Sequence, residues 1–500
     1  IATDGAVQVI SGIDKAKDWP WGSWLGGAMA GGDLNGDGAI DLVVGGATRQ
    51  SMSAADDTSG AIYVIWGGGN YSISPDKTST PIQVSTGTSA PLHVTIFGET
   101  GGATQDPPSD RFGYALAVGD FDADGHTDIA VSAPERSAGA GAPSAGAVYV
   151  LSGATLAGIW PSGQDPAAVD DLPRKENQSP TPDPLVLRSA TPYLRLGVSL
   201  AAGDIDGDGV TDLLVGSATT SGDATCDTGT PACGAFAIIY GREGLFGGGG
   251  RELSLEALSP SDGALAQAGD NSLLYGLGGV VALVDLDSDG YSEVVTALGR
   301  PNTLTGGPHK IALFRGQGLS DALSGSSSAA LATHLVLHAP PGPLDRSGFG
   351  AFLAAGDVNG DRRQDLLVGA PFEGMELEHL GYGANLRPLQ NVGALYVLLG
   401  SRLASYWDPD GSGELYVEDL MDFTSEDEVS FPLVRIRGSI HNGFLGASAG
   451  THSHYARPLD QPRSSTLLVQ PGWFNASTEL SYQEQFQGRV YLADLQSLLQ

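Results

Sequence analysis

Positive charge is what this sequence has least of: 25 lysines and arginines stand against 58 aspartates and glutamates, a net charge of −33 over 500 residues. Nucleic acid and anionic membrane surfaces repel such a chain, so neither is expected as a partner. Long apolar runs are missing too, since no stretch reaches the ~18 to 20 residues a membrane-spanning helix needs. The chain opens on Ile1 rather than methionine, which is compatible with a removed leader segment. Cysteine is confined to Cys226 and Cys233, in CDTGTPAC. A pair at that hairpin spacing reads as a local disulfide worth roughly 2 to 3 kcal/mol in the chain-entropy model, with two free thiols as the alternative. A zinc site would need a second pair. HExxH and phosphate-loop patterns are absent, which removes two common sequence signals of catalysis.

What is plentiful is glycine, 73 residues with no collagen period, together with short strand-like apolar runs. Both are organised around carboxylate-rich loops. The clearest lies within residues 196–218, LGVSLAAGDIDGDGVTDLLVGSA, with Asp204, Asp206, Asp208 and Asp212 at loop positions 1, 3, 5 and 9 and Gly209 at position 6. A hard cation such as Ca²⁺ takes about six to eight oxygens, which a short loop supplies only if alternate side chains converge. Val210, at position 7, would add its backbone carbonyl, and Gly209 permits the tight turn. The flanks LAAG and DLLVGSA are too short for helices and read as strands. The stretch is therefore expected to be a β-hairpin whose turn holds a cation.

The chain repeats this unit. Asp33, Asn35, Asp37, Ala39 and Asp41 form a first copy, and Asp120, Asp122, Asp124, His126 and Asp128 a second. After the copy at Asp204 come Asp285, Asp287, Asp289, Tyr291 and Glu293, then Asp357, Asn359, Asp361, Arg363 and Asp365. The copies stand 87, 84, 81 and 72 residues apart, too regular for chance. They hold eighteen of the acids, so part of the acidity is candidate metal ligand and part is solvated surface. The fifth copy has Arg362 where the turn glycine belongs, and Arg363 beside it, which makes it the weakest of the five.

Two further elements recur with each loop. Before it lies a strand of small residues such as FGYALAVGD or FGAFLAAGD, suited to crowding near an axis; after it lies a glycine-led strand such as GAIYVIWGG, GAVYVLSG or GALYVLLG. LVLRSA and HLVLHA read as outer strands. A four-stranded unit that cannot bury both faces alone, repeated every seventy to ninety residues, predicts a β-propeller. The FG, the DxDxDG loop, the GAP at Ala133-Pro134 and Ala370-Pro371, and the GxVYV strand resemble FG-GAP repeats, the blades of integrin α-subunit propellers and of related bacterial and fungal propellers. That resemblance implies a seven-bladed, all-β ring of four-stranded antiparallel blades with Ca²⁺ in several of the turns. GAVQVISG near the N-terminus reads as a third strand whose own first two strands are absent from this sequence, which leaves three alternatives: upstream residues complete a seventh blade, the ends close the ring in a swapped way, or the ring has six blades. NGFLGASAG and STLLVQPG read as a sixth pair of inner strands around a turn that has lost its ligands.

The whole chain, 1–500, is thus expected to be one propeller with long inter-strand insertions near 155–190, 372–392 and 401–443 that display any partner specificity. Within the last, Asp408, Asp410, Ser412, Glu414 and Asp419 have the spacing of a further Ca²⁺ loop, a solvated acidic turn being the alternative. The functional expectation is an extracellular, secreted, cell-surface or periplasmic Ca²⁺-binding module for protein–protein interaction or adhesion. A sugar-binding propeller is the first alternative, with Trp19, Trp21, Trp24, Trp66, Trp160, Trp407 and Trp473 as stacking candidates. An enzyme cleaving polysaccharide or phospholipid is the second.

Overall fold

The computed structural model describes residues 10–12, 25–47, 60–65, 82–84, 93–98, 110–139, 141–159, 184–217, 234–247, 250–267, 276–298, 310–323, 328–330, 335–339, 347–358, 361–373, 393–403, 413–417, 420, 433–437, 448–452, 466–470 and 491–494. Within them the chain is all-β and builds a propeller. The first blade runs β2 (Leu25–Gly32), β3 (Asp41–Gly46), β4 (Ala61–Ile65) and β6 (His93–Phe97). The second is β7 (Leu116–Gly119), β8 (Asp128–Ala133), β9 (Ala147–Leu151) and β10 (Leu185–Arg188). The third is β11 (Ser199–Gly203), β12 (Asp212–Ser217), β13 (Ala235–Ile239) and β15 (Gly263–Gln267). The fourth is β16 (Val281–Val284), β17 (Glu293–Leu298), β18 (Lys310–Phe314) and β20 (Leu335–His338), and the fifth β21 (Phe352–Gly356), β22 (Asp365–Ala370), β23 (Ala394–Leu398) and β25 (Leu433–Arg437). Each is antiparallel throughout these four strands. The inner strands β2, β7, β11, β16 and β21 stand side by side in chain order, with β26 (Ser448–His452) next to β21.

The expectation of seven four-stranded blades is corrected by this topology. Among the described residues there are five blades of four or five strands, a three-stranded sheet of β26, β27 (Thr466–Gln470) and β28 (Tyr491–Asp494), and a parallel pair of β1 (Ile10–Gly12) with β5 (Ile82–Val84). The fifth strands come from neighbours. Strand β14 (Arg251–Ser254) lies in the chain between β13 and β15, yet pairs parallel with β10 of the preceding blade. β19 (Ser328–Ala330) pairs likewise with β15, and β24 (Gly413–Tyr416) with β20. Each covers an outer edge whose backbone groups would otherwise be open to pairing. β5 lies between β4 and β6, so β1 holds the place that β10, β15 and β20 hold toward their straps. Of the segment read as a third strand only Ile10–Gly12 are described, and these pair with a strap as an outer strand does.

Burial explains the strand types. Second and third strands such as β8, β9, β12 and β13 are buried along their whole length, while β11 is only half-buried along the axis. The apolar clusters lie between blades: Val148, Leu187, Leu213 and Ala237 join the second to the third, and Leu313, Leu337, Leu366 and Tyr396 the fourth to the fifth. At roughly 1.5–3 kcal/mol per large side chain removed from water, stability resides in these junctions. The glycines that lead the third strands of the first three blades belong to the same junctions. Gly60, Gly146 and Gly234 form bridges with Phe112, Leu196 and Leu277 of the next blade, and a Cβ at any of them would overlap that neighbour's backbone. Phe112 then sets its ring edge against Tyr149 at 5.5 Å, as Phe349 does against Tyr396 at 5.3 Å. The FG and GxVYV patterns are the two halves of one contact.

The insertions are partly structured. Gly153–Ile159 form helix α1 and Leu185–Arg188 strand β10 at the ends of the first, and Gly400–Leu403 (α3), β24 and β25 fall at or within the last. Residues 374–392 of the middle one lie outside the described residues, as do Cys226, Cys233 and all seven tryptophans.

Candidate metal sites in the blade turns

All five acidic loops are turns between the first and second strands of a blade, as the spacing predicts. Their shape is set by carboxylates accepting from backbone N–H groups. Position 1 holds the turn: Asp120 accepts from Asp124 N at 3.0 Å and Gly125 N at 2.9 Å, and Asp33 from Asp37 N at 3.1 Å and Gly38 N at 2.8 Å. Position 5 accepts from position 7, as Asp208 does from Val210 N at 2.8 Å. Position 9 reaches back to position 2: Asp41, Asp128, Asp212 and Asp365 accept from Leu34, Phe121, Ile205 and Val358 N at 2.8–3.0 Å. In three of these the second oxygen accepts from a glycine just past the third strand, Gly153, Gly241 or Gly400.

The position-9 acids are fully buried, and burial pushes Asp128, Asp212 and Asp365 up to about 7 and Glu293 up to about 8. Burial also raises Asp122, Asp206 and Asp285, with repulsion from neighbouring acids adding to it. A cation at the same place reverses that direction, because its charge favours the ionised form. Oxygens of Asp120, Asp122 and Asp128 lie within 4.8 Å of one another, as do those of Asp204, Asp206 and Asp212, and of Asp285, Asp287 and Asp289. Asp122 Oδ1, Asp285 Oδ1 and Glu293 Oε1 are buried with no hydrogen-bond partner. An all-oxygen donor set with orphaned buried oxygens fits a hard divalent cation, Ca²⁺ above all.

The first and fifth turns do not bring three acids so close among the described residues. Asn35 stands in the first, where its Nδ2 donates to Asp37 at 3.2 Å. In the fifth, Arg362 adopts φ 71° in place of the missing glycine and its N–H still reaches Asp357 at 2.9 Å, so the turn keeps its shape; Asn359 lies outside the described residues. Of the further candidate loop, only Glu414 is described. It sits in β24, with its carboxylate 3.6 Å from His338 Nε2; Asp408, Asp410, Ser412 and Asp419 lie outside.

Three features escape a reading of the loops alone. Position 8 of the second to fifth turns packs on the turn before it: a Cβ on Gly32, Gly119 or Gly203 would strike Thr127, Thr211 or Ser292, and Gln364 Oε1 accepts from Asp285 N at 3.0 Å. Arg315, past the end of β18, donates to Asp287 Oδ2 at 2.7 Å. Aligning the third strands would have exposed it, since Ser152, Tyr240 and Leu399 stand at the same place in other blades. Lastly, residues 446–450 read GASAG, a G-x-S-x-G string. A nucleophile elbow needs a strand-to-helix turn, whereas Ser448 begins β26 and pairs antiparallel with Gln470.

Fold and turns together define a β-propeller whose blades carry acidic hairpin turns. More narrowly, three stretches match the FG-GAP repeat model, residues 112–151, 196–230 and 349–398, in the second, third and fifth blades. It is similar to phosphatidylinositol-glycan-specific phospholipase D of Homo sapiens, 34% identical over 196 residues, 39% of this chain and 18% of that protein. It is also similar to integrin alpha-IIb of Mus musculus, 29% identical over 223 residues (43% and 17%), and to integrin alpha-X of the same organism, 29% over 198 residues (39% and 13%). The matched stretch thus spans less than a fifth of each of these relatives. Among the described residues no helix is long and apolar enough to cross a membrane.

Proposed function

We propose that this chain is an extracellular, Ca²⁺-stabilised propeller that presents its inter-strand loops to a protein partner. The observation that carries the metal half is the convergence of Asp120, Asp122 and Asp128, and of Asp204, Asp206 and Asp212, with Asp122 Oδ1 buried and lacking a protein donor. Asp33, Asp37, Asp41, Asp357, Asp361 and Asp365 would complete the set in the first and fifth turns. When bound, the ion supplies positive charge that holds carboxylates which otherwise repel one another. The turn residues orient those oxygens and fix the hairpins between inner and second strands; no chemistry is asked of them.

The partner half rests on likeness to integrin alpha subunits and on a rigid scaffold with long loops. It is tested by direct binding of the purified chain to a panel of extracellular matrix proteins, with and without residues 374–392. Saturable binding lost with that loop supports the reading, and no binding to any member speaks against it. A second reading, hydrolysis of a phospholipid, rests on the 196-residue match to the phospholipase D. Turnover of a phosphatidylinositol-glycan substrate by the same preparation would favour it, and binding of defined sugars on a glycan array would favour the lectin instead.

A further inference from the structure

We propose that Arg315 is a built-in counter-ion of the fourth turn, so that this turn holds its shape without metal and takes Ca²⁺ more weakly than the second and third. The inference deepens the calcium reading and rests on it for its second half. The fourth turn departs from the others at position 9, where Glu293 replaces aspartate. In the second, third and fifth turns both oxygens of that residue accept backbone N–H groups, one of them from the glycine past the third strand. Glu293 is one methylene longer. Its Oε2 keeps the bond from Leu286 N at 2.8 Å, but its Oε1 is buried with no partner, and so is Asp285 Oδ1. This turn therefore buries more uncompensated carboxylate oxygen, which costs heavily unless a cation is near.

Arg315 is that cation. It stands just past β18, immediately before Gly316, and its Nη2 donates to Asp287 Oδ2 at 2.7 Å. Asp289 and Glu293 act on the same guanidinium through their charges. Among the described residues no lysine or arginine side chain forms an ion pair with an acid of the second or third turn, where the one basic group against an acid is the His126 ring, with Nδ1 3.3 Å from Asp124 Oδ1. Asp287 occupies position 3, where its oxygen would otherwise face the ion. Ca²⁺ must then either share that carboxylate with Arg315 or displace it, and loop affinity follows the ligand charge available.

The test is Ca²⁺ titration of the full chain by calorimetry, with melting in excess chelator, for wild type, R315Q, D287N and the double variant. R315Q is expected to tighten one site about tenfold and to lower the metal-free melting temperature. In chelator the two substitutions should be coupled, so that R315Q adds little once Asp287 is already neutral. Unchanged site affinities in R315Q overturn the weakening of the fourth site, and additive melting shifts overturn the counter-ion. If R315Q does not fold without metal, recovery of folding in the double variant supports the proposal and failure of both overturns it. A wild type that takes up no Ca²⁺ at millimolar concentration defeats the calcium reading instead, while the metal-free arm still decides the role of Arg315.

Discussion

Single residues at the blade junctions and turns are where the repeat motif acquires physical meaning. Gly146 has φ 90° and no room for a Cβ against Leu196, so Gly146→Ala combines left-handed strain with overpacking and is expected to cost about 2–3 kcal/mol. Gly244 has φ 72° with open space around it, so its alanine variant should cost only about 1 kcal/mol. Equal melting shifts for the two would show that the junction contact contributes nothing beyond the backbone angle. The reverse experiment is available at Arg362, a non-glycine at φ 71°. Arg362→Gly should stabilise the metal-free chain by up to about 1 kcal/mol, read as a higher denaturation midpoint. The acid pattern of all five turns was legible in the sequence because the position-1, position-5 and position-9 carboxylates that shape a turn, and the N–H groups they bond within it, lie within nine consecutive residues. Arg315 was not, because it approaches Asp287 from a strand 28 positions away.

Among the elements, the straps β14, β19 and β24 separate what the sequence shows from what it hides. Inner, second and third strands announce themselves by glycine-led apolar runs, and the outer strands LVLR and LVLH stand where those runs predict. A strap such as RELS or GELY has no pattern of its own, since its partner is a backbone edge in another blade. Missing the straps is also why GAVQVISG, whose described residues Ile10–Gly12 pair with the strap β5, was read as a third strand. Two straps repeat one charge pair. Arg188 Nε meets Glu252 at 3.4 Å across β10 and β14, and His338 Nε2 meets Glu414 at 3.6 Å across β20 and β24, with the His338 ring stacked on Tyr416 at 4.6 Å. Burial holds the His338 pKa below its ordinary value; Lys310, opposite it on β18, pulls the same way and Glu414 against. The neutral ring is thus favoured in the fold. Its stabilisation is fully present above the ordinary histidine pKa of about 6.5 and is lost as pH falls from there through the folded value. Amide protection of 413–417, corrected for the intrinsic exchange rate at each pH, should fall on acidification below about pH 6.5, whereas that of 251–254, held by a permanent arginine charge, should not respond to this titration. His338→Gln should flatten the difference, and a pH response surviving it would locate the titrating group elsewhere.

At the scale of the molecule, the turns form a row in which each leans on the one before, through Thr127, Thr211, Ser292 and Gln364. Ions in that row would act on more than their own hairpin. Each site filled at a hundredfold excess over its Kd adds about 2.7 kcal/mol to the folded state, provided the unfolded chain binds none. Chelation is therefore expected to lower the melting temperature by an amount that grows with the number of filled sites, and to quicken proteolysis at the turns. The loss should not be shared evenly. Asp208 belongs to the turn in which Asp204, Asp206 and Asp212 converge within 4.8 Å, while Asp361 belongs to one without such a cluster among the described residues. Asp208→Asn should thus remove more of the Ca²⁺-dependent stabilisation than Asp361→Asn, measured as the difference in melting between Ca²⁺ and chelator for each variant. Because Thr211 of that turn rests on Gly119 at the base of the second turn, Asp208→Asn should also raise amide exchange in 120–128, a coupling that a set of independent hairpins would not show. Melting unchanged by exhaustive chelation, with no metal found by elemental analysis, would mean that protein groups alone hold these carboxylates together.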